Sequence, residues 1–308
     1  MTGRSNSTNH IRLRPAAVTA LIAINAFWGL SSASAKTALG YVGPFTLTLC
    51  RFLPAGIILL VLARKQIPLL AMGAKDFAKL MLLASVGITL TYTLYFTGLG
   101  RTNSTDASLL FACEPILLSV AATFFLSEKL NMIQWLGLLI GVFGIWIIAG
   151  RAEGNWLALL GLACECCTGV IAKELVSRYP PLALLGAEMI IGALVSVPGA
   201  LAECSASTHL VLTPLALLNI VYLSLICSAL CYGVWYKLMN STPLSQMSAF
   251  ILVQPLLGPF YGHFLHGDIV TITVVEGAVF VMLGILLTQV NALRRDERTP
   301  ELVEQNNK

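Results

Sequence analysis

Long apolar stretches, broken at short intervals by polar or charged residues, run the length of the chain. No charged residue occurs between Arg14 and Lys36, between Lys79 and Arg101, or between Leu130 and Gly150. Each of these runs matches the ~20 residues that a helix needs to cross a ~30 Å hydrocarbon core, so the pattern predicts a spanning helix in each. Seven further apolar stretches hold at most one internal charge: 44–64 (Arg51), 106–126 (Glu114), 155–173 (Glu165), 180–202 (Glu188), 213–236, 244–266 and 272–291 (Glu276). Ten helices joined by short loops are the expectation. Residues 1–13 are expected as a disordered tail and 293–308 as a second tail.

Composition removes the soluble alternatives. The 308 residues are 57% hydrophobic and 11% charged, against about 25% charged in ordinary soluble domains. The fold class is therefore an all-α integral membrane protein. The distribution of Lys and Arg then predicts its orientation, because cytoplasmic loops carry the excess. With the N-terminus cytoplasmic, fifteen Lys and Arg fall on the inner side and only Lys36, Arg101 and Arg151 on the outer. Both termini are thus expected in the cytoplasm of a multi-pass plasma membrane protein, a bacterial inner membrane if the source is prokaryotic. The net charge of +4 is accounted for by this asymmetry, and no nucleic-acid partner is read from it.

The chain also matches itself. A shift of 137 residues pairs Ala35-Lys36 with Ala172-Lys173, Pro44 with Pro181, and Arg51 with Glu188. A shift of 140 pairs Tyr92 with Tyr232, Pro115 with Pro255, Gly137 with Gly277 and Gly144 with Gly284, and sets Glu114 on Gln254. The first apolar run resembles a signal peptide in its flanks, but its counterpart in the second half makes it part of the fold. Two repeats are expected, 14–150 and 154–292. Five spans in each is an odd number, so the second repeat enters from the opposite side. Inverted five-helix repeats around a central cavity are the usual architecture of secondary transporters, with polar, interrupted helices at mid-membrane.

Particular strings sharpen this. Glu114-Pro115, Leu126-Ser127-Glu128-Lys129-Leu130, Gln134-Trp135-Leu136-Gly137 and the glycines 141 and 144 resemble the signature of EamA-type members of the drug/metabolite transporter superfamily. The second half repeats it as Gln254-Pro255, His266-Gly267-Asp268, Gly277 and Gly284. The resemblance covers nearly the whole chain. It implies ten helices in two repeats, a central cavity, and movement of amino acids, their derivatives, nucleotide-type metabolites or drugs. The chain departs from the family pattern at Gln254, where an acidic residue is commoner.

Charges inside apolar runs are costly, about 2.5–3.5 kcal/mol at a helix centre, and so mark candidate sites. Arg51 and Glu114 both fall ~10–12 Å below the outer ends of their helices at 1.5 Å per residue. Either they clamp a substrate, Arg51 taking a carboxylate or phosphate and Glu114 an amine or proton, or they form a permanent buried pair. Glu188 and Gln254 are the repeat counterparts. Pro115 and Pro255 break their helices and free a carbonyl one turn back, to be met by a neighbouring helix, a hydroxyl or water. Asn25 and Trp28 share a face of the first helix and line the cavity or pack.

Tyr92, Tyr95 and Phe96 form one aromatic face, and Tyr232, Trp235 and Tyr236 another. Inverted topology puts the first toward the outside and the second toward the cytoplasm, as paired gates or as a belt at the lipid interface. Cys164-Glu165-Cys166-Cys167 reads as helix packing, with no histidine near for a metal site. The glycine series of the fifth and tenth helices serves close packing, and small-residue faces leave a homodimer open.

The expected function is a secondary transporter of a small polar or amphipathic metabolite, an amino acid or derivative first, by alternating access and as an exporter; export of cationic drugs or other metabolites is the alternative. An intramembrane enzyme with Glu114 and Glu188 as acid and base is a distant third, because no nucleophile–base–orienter set accompanies them. No catalytic residue, cofactor or metal is expected, and no phosphate-binding Gly-x-x-x-x-Gly-Lys-Ser/Thr string occurs. The partners expected are the substrate and the lipid bilayer.

Overall fold

The computed structural model describes residues 15–65, 72–117, 132–206, 213–242, 247 and 249–287. Its regular elements are helices, with no strand among the described residues. Seven are long and apolar enough to cross a membrane: α1 (Pro15–Leu39), α2 (Pro44–Leu62), α3 (Ala74–Gly100), α5 (Met132–Ala149), α6 (Glu153–Val176), α7 (Pro181–Ser205) and α8 (Pro214–Ser241). Between α3 and α5 lies α4, helical from Ser104–Leu110 and again over 114–117. After α8 come α9 (Val253–His266) and the shorter apolar α10 (Ile272–Leu287). The expected tails and the 126–130 string fall outside the described residues.

Two boundaries differ from the apolar runs. Lys79 was expected to precede the third span and Lys173 to end the sixth, yet α3 begins at Ala74 and α6 continues to Val176. Both helices extend past their apolar stretches and cross-link there, Lys79 Nζ lying 2.6 Å from Glu174 Oε1. Arg178 adds contacts of 3.1 Å to Asp76 and 2.9 Å to Glu174. Water-facing turns stay helical when such pairs hold them.

Inside α3 the turns widen to i→i+5 bonding over Leu83–Leu90, and inside α8 over Tyr222–Tyr232. These positions correspond under the 140-residue shift. Tyr92 follows the wide stretch of α3, and Tyr232 is the last residue of the wide stretch of α8. The helix also tightens at corresponding places, Phe111–Cys113 before Glu114-Pro115 and Ala249–Leu252 before Gln254-Pro255. Pro115 cannot donate to the Phe111 carbonyl, and the Glu114 N–H takes it instead. The expectation that another helix, a hydroxyl or water would meet that carbonyl is corrected. One 3₁₀ turn meets it within the chain.

Packing follows the repeat. The pairs α2·α7, α4·α9 and α5·α10 each join a helix to its own counterpart. All three pairs run antiparallel: Gly56 faces Gly186 and Ile190, Gly262 faces Thr105 while Gly258 faces Ser108, and Gly144 faces Gly277 while Gly141 faces Gly284. In the remaining contacts α1 packs on α8 as α6 packs on α3, and α1 on α9 as α6 on α4. These contacts have partners under exchange of the halves, the pattern of a two-fold axis lying across the helices. Close approach at α5·α10 depends on glycine. A Cβ on Gly144 would lie 2.6 Å from the Gly277 oxygen, and one on Gly284 2.6 Å from the Gly137 oxygen.

The helices present two faces. On the proximal face α1 begins and α6 and α8 end; on the distal face α1 and α3 end. Lys36 Nζ, distal, donates to the carbonyls of Leu99 (2.8 Å), Gly100 (3.1 Å) and Thr102 (2.7 Å) at the end of α3. Lys173 Nζ, proximal, donates to Met239 and Thr242 (3.0 Å) at the end of α8. A lysine at a helix C-terminus meets unpaired carbonyls and the negative end of the dipole. The pairing 36/173, 99/239 and 102/242 again obeys the two shifts.

Candidate functional site

A cavity of about 110 Å³ occupies the middle of the bundle, room for several water molecules. Its walls come in repeat pairs. Trp28 and Ser31 of α1 face Glu165 and Thr168 of α6, their counterparts at 137. Arg51 of α2 is matched by Glu188 of α7, and Glu114 of α4 by Gln254 of α9. Tyr92 and Tyr95 of α3 are matched by Tyr232 and Trp235 of α8, with Tyr236 one turn on. The site therefore straddles the two-fold relation. Its lining reaches into the proximal half through Leu83, Ala172 and Met239.

Tyr92 and Tyr232 meet hydroxyl to hydroxyl. Tyr92, Tyr95, Trp235 and Tyr236 are all buried, and Trp28 sits edge-on to Tyr232 and Trp235 with ring centroids 4.9 and 5.7 Å apart. This burial corrects the expectation of a belt at the lipid interface. From the Tyr92–Tyr232 contact, Tyr95 lies toward the distal end of α3 and Tyr236 toward the proximal end of α8.

Arg51 does not meet Glu114. Its guanidinium carbon lies 4.6 Å from the Tyr92 ring centroid, 4.9 Å from Phe52 and 5.9 Å from Phe96, and its Nε donates to Ser228 Oγ at 2.9 Å. No carboxylate of the described residues lies within 4.0 Å of it. Rings and a hydroxyl hold the charge where a salt bridge was one of two expectations.

The carboxylates have neutral company. Tyr232 donates to Glu165 Oε1 at 2.7 Å, and Tyr236 donates to Glu188 Oε2 at 2.5 Å. The Glu114 carboxylate, in the wall just past the 3₁₀ turn, accepts no hydrogen bond from a described residue. Asn25 is fully buried and does not line the cavity; its Oδ1 accepts from Gln254 Nε2 at 2.9 Å and its Nδ2 donates to Leu21 at 2.8 Å. Trp28 does line it, with Nε1 donating to the Cys227 carbonyl at 2.9 Å. Glu165 is the residue the sequence reading passed over, absorbed there into a run of cysteines. The 137-residue shift sets it on Trp28, and that register was the available signal. Among the described residues no three His, Cys, Asp or Glu side chains come together as metal ligands.

Beyond the cavity on the distal side, polar bonds tie the repeats together. Thr37 Oγ1 lies 3.0 Å from His266 Nε2, Ser104 donates to Asp268 at 2.6 Å, and the Thr105 N–H donates to the same oxygen at 2.9 Å. Glu203 caps α2 through the N–H groups of Phe45 and Thr46, both at 2.9 Å. The counterparts of His266 and Asp268 under the 140-residue shift, Leu126 and Glu128, lie outside the described residues.

Comparison with known proteins gives this arrangement relatives. The sequence profile of the EamA-like transporter family matches residues 15–150 and again 152–290. A WAT1-related chloroplastic protein of Arabidopsis thaliana is 26% identical over 292 residues, covering 87% of this chain and 68% of the relative. A protein of Chlamydia trachomatis named as an S-adenosylmethionine/S-adenosylhomocysteine transporter is 26% identical over 282 residues, covering 86% of each. A crystal structure at 18% identity superposes with a TM-score of 0.63 over 90% of this chain and 98% of its own, a likeness of fold. With both halves matched in tandem, the chain belongs to the EamA-like transporter family.

Proposed function

We propose that the protein is a secondary transporter that moves a small polar or amphipathic metabolite, an amino acid or a derivative of one, by alternating access, in the direction of export. The observation that carries this is the cavity built from repeat counterparts, with Arg51, Glu114, Glu165 and Glu188 in one wall system and with lining that extends into the proximal half through Leu83, Ala172 and Met239. A site on a two-fold axis between antiparallel repeats can be handed from one face to the other by exchanging the conformations of the halves. In this reading there are ten spans in two inverted repeats, 14–150 and 154–292. The proximal face and both termini are cytoplasmic, the membrane is the plasma membrane, and the arrangement described is inward-facing. The name of the Chlamydia relative supports an amino-acid derivative as cargo. A homodimer would use exposed small-residue faces.

The test is uptake into proteoliposomes of labelled amino acids, their derivatives and cationic drugs, with and without a pH gradient. Saturable counterflow of at least one amino-acid derivative is expected. Uptake no faster than in empty vesicles for the whole panel would overturn the reading. Selective movement of the drugs would favour the drug-exporter alternative.

A further inference from the structure

We propose that the cavity selects ligands of net positive charge, an amine or sulfonium carrying a flat or aromatic group, with Glu114 as the counter-charge. This rests on the transporter reading and narrows its substrate class. Three carboxyl groups and one guanidinium line the space. The guanidinium is already occupied, laid against three rings and bonded to Ser228. Two of the carboxylates hold only neutral tyrosine hydroxyls. Glu114 holds nothing among the described residues, and a second carboxyl group, Glu165, lines the same cavity. Like charges sharing a buried site are relieved by a cation between them and aggravated by an anion. Aromatic walls act in the same direction, since ring faces attract cations. Trp28, Trp235 and Tyr232 supply them beside Glu165. An anionic ligand would have to displace Arg51 from its rings to find an opposite charge.

A matched series tests the charge rule without needing the natural cargo. Calorimetric titration of the purified protein would use phenethylamine (cation), phenethyl alcohol (neutral), phenylalanine (zwitterion) and phenylacetate (anion). Phenethylamine should bind at least ~10-fold more tightly than the neutral alcohol, and phenylacetate should not bind, as expected for a charge-assisted contact. Glu114→Gln should remove that preference, and Glu114→Asp should keep it. Equal or tighter binding of phenylacetate, an unaltered preference in Glu114→Gln, or no binding by any of the four at millimolar concentration would overturn the proposal. If Glu114→Gln fails to fold, the wild-type series still decides the sign of the charge. Cation binding without transport in proteoliposomes would sink the transporter reading alone, and transport of an anion without cation binding would sink the charge rule alone.

Discussion

Asn25 and Gln254 show how single polar residues are kept in an apolar bundle. Each is buried, and the Gln254 amide is satisfied by Asn25 across α1 and α9. Replacing Asn25 by Leu leaves a buried donor unpaired, at a cost of about 1–3 kcal/mol, whereas replacing both partners by Leu should recover most of it. Thermal unfolding of the two single variants and the double variant measures that coupling; additive losses would show that the contact is not made. Arg51→Lys should be destabilising by about 1–2 kcal/mol, because a lysine cannot spread its charge over Phe52, Tyr92 and Phe96 as a flat guanidinium does. The intramembrane charges were visible in the sequence as costly exceptions, and the structure sets Arg51, Glu114 and Glu188 in one wall. Their pairing was not visible. Depth along a helix says nothing about rotation around it, so Arg51 and Glu114 at equal depth looked like a pair. Glu165 was hidden because a charge among cysteines carries no period of its own.

At the scale of helices, hydropathy located the elements and charge blurred their ends. Lys79 and Glu174 looked like loop residues because the apolar run stops short of them, yet their ion pair holds the overhanging turns of α3 and α6 together. Wide turns left no mark in residue type. Nor did the contact of Tyr92 with Tyr232, which lies where they end. The lysines at the ends of α3 and α8 make a symmetric test. Lys36→Met and Lys173→Met should each lower stability by a similar amount, about 1 kcal/mol, since each removes a cation from a helix C-terminus. Unequal effects, with one near zero, would show that the correspondence is in sequence alone. At the α5·α10 crossing, Gly144→Leu should prevent close approach, with loss of about 1–3 kcal/mol or of folding; an unchanged unfolding temperature would contradict that packing.

For the whole molecule, the internal match of the chain announced two halves, and the antiparallel crossings of α2·α7, α4·α9 and α5·α10 give those halves an axis. The cavity lies on it. Such a site can open to one face at a time; the bonds of Thr37, Ser104 and Asp268 tie the halves together on the distal side, and the lining reaches into the proximal half. Ser31 is the position from which to ask whether the ends exchange. It is buried, lines the cavity and stands in the distal half of α1. Serine and cysteine are close in size, so Ser31→Cys in a chain whose eight native cysteines have been replaced should fold. Membrane-impermeant thiol reagents added from either side of oriented vesicles then report which face the cavity communicates with. Alternating access predicts labelling from both faces, with reagent on one side slowing reaction from the other. Labelling from one face alone, however long the exposure, would contradict it.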